Sequence, residues 1–233
     1  SALFAGFYAI IASMNDRFEA AAIALFIAMI MDGLDGRIAR LTNTQSDFGE
    51  QYDSLSDMVS FGLAPALIVY QWSLLNLGKL GWLCAFLYAA ATALRLARFN
   101  TQAQNADKRY FQGLPSPAAA ALIAGMIWLS EDYTIIDYID LEYFALPITI
   151  LAGLLMVSNI RFHSFKQFDL KGKVPFVAIF ILLLAFIIIA SSPPIVLFSL
   201  AFGFAVSGPI LTLLMIRKRR LERKSSNEVE PDK

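Results

Sequence analysis

A chain of 233 residues that is 58% hydrophobic, only 16% charged and without net charge is not composed like a soluble domain, where roughly 45–50% apolar is usual. Zero net charge offers no bulk attraction for nucleic acid, and none is expected as a partner; a single cysteine, Cys84, excludes an internal disulfide. The apolar excess, with a mean hydropathy of +0.59, falls in blocks, the mark of several membrane-crossing helices.

Taken in chain order, the blocks run roughly over 1–14, 19–41, 47–75, 80–104, 115–130, 142–158, 174–190 and 194–216. Backbone groups in lipid must be satisfied internally, and these runs are too long for barrel strands, so they are expected to be helices. The first and fifth are short for a bilayer that needs about 20 residues. Ser1 already lies in an apolar run with no basic leader, which reads as a trimmed start and not as a signal peptide. Polar punctuation separates the blocks, and no internal repeat is visible. The expected fold is all-α: a polytopic membrane helix bundle of about eight spans, with one transmembrane catalytic domain over residues 1–216.

An eight-span count puts every basic residue except Arg17 and Lys79, of the 19 present, on one side. The positive-inside rule makes that side cytoplasmic, with both ends inside. Between the sixth and seventh blocks, Phe162, Phe165 and Phe168 recur every three residues among basic ones, so Arg161 to Lys173 is either a short interfacial helix or an ordinary basic loop. Residues 217–233 run from basic to acidic without apolar periodicity and are expected to form a disordered cytoplasmic tail. Pro65 is expected to bend the third span.

The chemistry lies between Asp32 and Asp57, where the chain reads DGLDGRIARLTNTQSDFGEQYDSLSD. Carboxylates within membrane-like runs cost several kcal/mol each and seldom occur without a function. Asp32 and Asp35, three apart, share a helix face at the end of the second span, which Gly36, Ala39 and Arg40 continue. Gly49, Asp53 and Asp57, each four apart, form a line on the third. The short linker makes the two helices antiparallel neighbours, and Thr44 is placed to cap the second of them. Asp32 lies roughly 12 Å of helix back from Arg40, inside the inner half of the membrane. Four converging carboxylates need protons or cations among them. An all-oxygen set suits Mg²⁺, Mn²⁺ or Ca²⁺, and four shared carboxylates can hold two ions about 3.5–4 Å apart. Gly33, Gly36, Ala39 and Gly49 either admit a ligand close to the backbone or allow close helix packing. Arg40 can offer a bidentate fork to a phosphate.

The pattern D-x2-D-G-x2-A-R-x8-G-x3-D-x3-D is met by Asp32, Asp35, Gly36, Ala39, Arg40, Gly49, Asp53 and Asp57, and it resembles the signature of the CDP-alcohol phosphatidyltransferases. That resemblance implies a six-helix membrane core, here with two further C-terminal spans. It implies that Asp32, Asp35, Asp53 and Asp57 bind two divalent ions, Mg²⁺ or Mn²⁺, and that Gly33, Gly36, Ala39, Arg40 and Gly49 hold the CDP-lipid. Asp57 is implied as the base that deprotonates the acceptor alcohol. A homodimer in a bacterial cytoplasmic membrane, with the site facing the cytoplasm, is implied as well.

The stretches Ser60 to Ala66, Arg95 to Asn100 and Phe111 to Ala119 resemble the serine-using branch of that family. Substrates are therefore expected to be CDP-diacylglycerol and L-serine, giving phosphatidylserine and CMP. Arg95, Arg98 and Asn100 are candidates for the serine site; the arginines read equally as anchors that snorkel to lipid head groups. Two other readings stand beside this one: the same transfer to glycerol phosphate or inositol phosphate, with Lys108 and Arg109 nearby, and an ion transporter using intramembrane aspartates.

Overall fold

A computed structural model of the protein describes residues 2–42, 46–102, 110–133, 140–163 and 176–228. Helices dominate it. Helix α1 spans Ala2–Met14 and α2 spans Phe18–Leu41. The third span, Asp47–Leu77, is one long helical run of several pieces: α3 (Asp47–Asp57), a π-helical turn (Met58–Leu63), α4 (Ala64–Val69), a second π turn (Tyr70–Leu74) and a closing 3₁₀ turn (Leu75–Leu77). Then come α5 (Lys79–Gln102), α6 (Ser116–Asp132), α7 (Glu142–Val157), α8 (Phe176–Ser191) and α9 (Pro193–Glu228). Among the described residues, three helical stretches are long and apolar enough to cross a membrane by themselves: Asp47–Leu77, Lys79–Thr101 and Pro193–Met215. Ala2–Met14 and Glu142–Val157 are apolar but shorter.

Small side chains hold the bundle together. Helix α1 buries Ala2, Ala5, Gly6, Ala9, Ala12 and Ser13 and packs on α2 and the third span, while α2 also packs on α6, α5 on α7 and α6 on α9. Lipid tails are as apolar as leucine, so association in a membrane depends on close van der Waals fit, which small residues allow. Gly6 illustrates it: a Cβ there would lie 2.6 Å from the Ser60 hydroxyl oxygen and 2.7 Å from the Ser60 Cα. Outward-facing positions carry Phe4, Phe86, Phe180 and Leu213 instead.

The third span departs from a plain α-helix where Pro65 falls. Its missing N–H and its ring disturb the preceding turn, and the helix answers with the π turn Met58–Leu63. The bend expected from Pro65 thus takes the form of a π turn just after Asp57. The span ends at Gly78, whose φ of +56° turns the chain into α5. Gly81 then meets the third span so closely that a methyl group there would run into the Leu74 carbonyl.

Several expectations are corrected. Ser46 caps α3, its side chain accepting from Gly49 N at 3.1 Å; Thr44 lies outside the described residues. Arg161–His163 is a short strand, β2, and not part of a helix. It pairs antiparallel with β1, Tyr110–Gln112, in the register Phe111 opposite Phe162. Phe162 is fully buried, tilted against Phe204 of α9 and seated on Gly208, where its ring leaves no room for a Cβ. Its ring is packed inside the protein and not presented on a surface; Phe165 and Phe168 are outside the described residues. Helix α9 runs past Arg217 to Glu228.

Candidate active site

Helices α2 and α3 bring the motif together. Asp32 from α2 and Asp53 and Asp57 from α3 each present a carboxylate oxygen within 4.8 Å of the others. Asp53 is exposed, while Asp32 and Asp57 are half-buried. The four-residue spacing stacks Asp53 and Asp57 on one line of α3, as the helical period requires. Asp35 does not join the group of three. It stands exposed one turn further along α2, near enough for its charge to act on Asp32 and Asp53.

One atom bears on whether a cation fits the cluster. Asp57 Oδ1 is buried and has no hydrogen-bond partner among the described residues. A buried carboxylate oxygen without a donor is costly, and hard divalent cations take such oxygens as ligands. Three carboxylates of this spacing therefore fit a divalent ion.

The glycines separate into two kinds. A Cβ built on Gly33 or on Gly36 would meet nothing within 4 Å among the described residues. The packing reading of these two glycines therefore has no described helix behind it. A Cβ on Gly49 would sit 3.2 Å from Ser46 Oγ, so that glycine leaves room for the cap. Ala39 is half-buried; nothing is described of the Arg40 side chain.

The candidates on α5 have different surroundings. Arg95 is buried, and its Nη1 donates to Ser116 Oγ at 3.1 Å while its Nε has no partner among the described residues. Its charge acts on Asp57. Arg98 turns to the end of α7: Nη2 donates to the Val157 carbonyl at 2.8 Å, and Nη1 to the Ser158 carbonyl and Asn159 Oδ1, both at 3.4 Å. These are the carbonyls a helix C-terminus leaves unpaired, and a cation suits them. Asn100 Nδ2 donates to Ser54 Oγ at 3.0 Å, tying α5 to the residue after Asp53. Lys108 and Arg109 lie outside the described residues.

Two participants are not legible in the sequence. Ser116 is visible there only as part of the Phe111 to Ala119 stretch, with no sign that it accepts from Arg95. Tyr88 looks like one more apolar position of α5, yet it is fully buried and its hydroxyl donates to the Phe61 carbonyl at 3.1 Å.

The sequence has counterparts among known proteins. The family model of the CDP-alcohol phosphatidyltransferases matches residues 1–157, which contain the whole carboxylate cluster and the α5 arginines. The chain belongs to the CDP-alcohol phosphatidyltransferase family. It is 37% identical to the CDP-diacylglycerol–serine O-phosphatidyltransferase of Helicobacter pylori (strain ATCC 700392 / 26695), over 94% of this chain and 90% of that protein. It is 33% identical to the enzyme of that name from Bacillus subtilis (strain 168), over 70% of this chain and 85% of the other. The protein of that name from Methanocaldococcus jannaschii is 38% identical over 61% of this chain and 63% of its own.

Proposed function

We propose that this protein transfers a phosphatidyl group from CDP-diacylglycerol to the hydroxyl of L-serine, giving phosphatidylserine and CMP. The observation that carries the reading is the convergence of the Asp32, Asp53 and Asp57 carboxylates within 4.8 Å of one another where α2 and α3 meet. The near full-length likeness to serine-using relatives selects the acceptor.

Asp32, Asp53 and Asp57, with Asp35 one turn away, are the ligands we propose for two divalent ions, Mg²⁺ or Mn²⁺. Such ions, when bound, neutralise charge on a pyrophosphate and favour its in-line displacement. Gly33 and Gly36, continued by Ala39 and Arg40, form the floor along which the CDP-lipid lies, and Gly49 shapes the α3 end through its cap. Asp57 accepts the serine hydroxyl proton through its half-buried carboxylate. The freed oxygen attacks the lipid-side phosphorus, and the phosphorus–oxygen bond to CMP breaks. Arg95, cationic, buried and close to Asp57, is our choice to receive the serine carboxylate. The bonds of Arg98 and Asn100 favour a framing role for both, around the same site.

At larger scale we propose eight membrane spans over residues 1–216, with the tail 217–233 and the site on the cytoplasmic side of a bacterial inner membrane, in a homodimer. The basic-residue asymmetry supports the orientation.

The test is CMP release from purified protein supplied with CDP-diacylglycerol and, separately, serine, glycerol phosphate and inositol phosphate. Serine alone is expected to drive release, excess chelator to abolish it, and Mg²⁺ or Mn²⁺ to restore it. Release driven by another alcohol would overturn the acceptor; full activity in chelator would overturn the metal site.

A further inference from the structure

The carboxylates on α3 owe their direction to the π turn Met58–Leu63 at its end. A π turn takes about one residue more than an α turn, which rotates the helix before it by about 100° relative to the helix after it. Helix α4, on the far side of the turn, is anchored: Ala64, Pro65, Ala66, Ile68 and Val69 are all buried. Helix α3 is not, for in Asp47–Asp57 only Ser56 is buried. The phase of Asp53 and Asp57 against Asp32 is therefore decided within Met58–Leu63.

That turn is clamped from α5. Pro65 has no N–H, so the Phe61 carbonyl lacks the donor an unbroken α-helix would give it. The carbonyl is buried, where an unmet acceptor is costly. The Tyr88 hydroxyl supplies the donor at 3.1 Å. Thr92, one turn along α5, donates to the Tyr88 carbonyl at 3.0 Å and touches Met156 Sδ at 3.5 Å, which joins this stretch of α5 to α7. Gly62 completes the clamp: a Cβ there would stand 3.1 Å from both Met58 Sδ and Thr92 Cγ2.

We propose that Tyr88 is a positioning residue for the active site, its hydroxyl holding the π turn in the register that turns Asp53 and Asp57 toward Asp32. The proposal rests on the reading of those carboxylates as the metal and proton-transfer site. Tyr88 touches no substrate; it acts through the Phe61 carbonyl and the helix that carries Asp57.

The experiment compares Tyr88→Phe with the parent in detergent, measuring Mn²⁺ binding by electron paramagnetic resonance, kcat and KM for CMP release, and thermal unfolding. The ring is kept and only the donor is lost. Expected are Mn²⁺ binding about tenfold weaker and kcat lower by about ten- to a hundredfold, as a small misplacement of reacting groups can cause, with the KM for serine unchanged. Pro65→Ala returns an N–H to the helix, so Tyr88→Phe made in that background should cost kcat less than about threefold. Parental Mn²⁺ binding and kcat in Tyr88→Phe, whatever its melting temperature, would overturn the proposal. So would an equal loss in both backgrounds. Asp57→Asn separates the two failures: if that variant binds Mn²⁺ and releases CMP like the parent, the reading of the site is at fault and the positioning role falls with it.

Discussion

Asp57 is the residue in which the proposed ligand and base roles meet, and one atom makes them separable. Asn keeps its size and a coordinating oxygen but cannot accept a proton. Asp57→Asn is therefore expected to keep CDP-lipid binding while CMP release falls by about 10²–10⁴-fold, the usual worth of a positioned base. Asp32→Asn removes charge from the cluster itself and is expected to lose binding and turnover together. Binding and release measured for both at saturating Mg²⁺ decide the matter; an Asp57→Asn protein turning over at the parental rate would place the base elsewhere. The two arginines of α5 divide in the same way. Arg95, buried, near enough for its charge to act on Asp57 and with its Nε unpartnered among the described residues, should raise the serine KM about ten- to a hundredfold when changed to Ala, the worth of one charge-assisted hydrogen bond. Arg98 grips the last carbonyls of α7, so Arg98→Ala should lower the melting temperature and leave the serine KM alone. A raised serine KM at unchanged stability would return Arg98 to the acceptor site. Spacing along one helix predicts the Asp53–Asp57 line, because neighbours four apart are a local matter. It cannot rank Arg95 and Arg98, which differ in what α6 and α7 bring to them.

Among the elements, the glycines are the most informative. A Cβ on Gly36 would meet no described atom within 4 Å, whereas one on Gly6 would run into the Ser60 backbone, although both read from sequence as small residues in an apolar helix. Gly36→Leu is expected to insert and melt like the parent while CDP-lipid binding weakens, because the added side chain occupies only the proposed substrate floor. Gly6→Leu is expected to destabilise the bundle, since backbone and not a flexible side chain blocks it. Thermal melting and CDP-lipid binding of the two variants should move in opposite ways; a Gly36→Leu protein that binds lipid normally would remove the floor from α2. The π turn after Asp57 lies on the same scale. Pro65 announces a disturbance, but the form it takes depends on Tyr88, which waits on another helix to meet the freed carbonyl.

For the whole molecule, the number of membrane crossings is the property to test. Only three stretches among the described residues are long and apolar enough to span unaided; the carboxylates of α2 and the shortness of α1 and α7 keep those helices below that mark. Eight spans require the shorter helices to cross as members of the bundle, sheltered by their neighbours. Single cysteines at Lys79 and Asp132, in a Cys84→Ser background, should react with an impermeant maleimide from outside the cell. One at Arg217 should react only after permeabilisation. Labelling of Arg217→Cys from outside would break the eight-span topology.

Composition and motif together determined a great deal by themselves. Apolar blocks dictate helices because lipid offers the backbone no partners, and eight residues at set offsets dictate the carboxylate chemistry because a helix repeats every 3.6 residues. Tertiary structure alone decided which three of the four aspartates converge, why Gly6 has no room for a side chain, and that Phe162 is buried against α9 instead of exposed. Those outcomes depend on residues brought from afar, such as Asp32 to Asp57, Ser60 to Gly6 and Gly208 to Phe162. No periodicity within a single segment carries information about the partner it will meet.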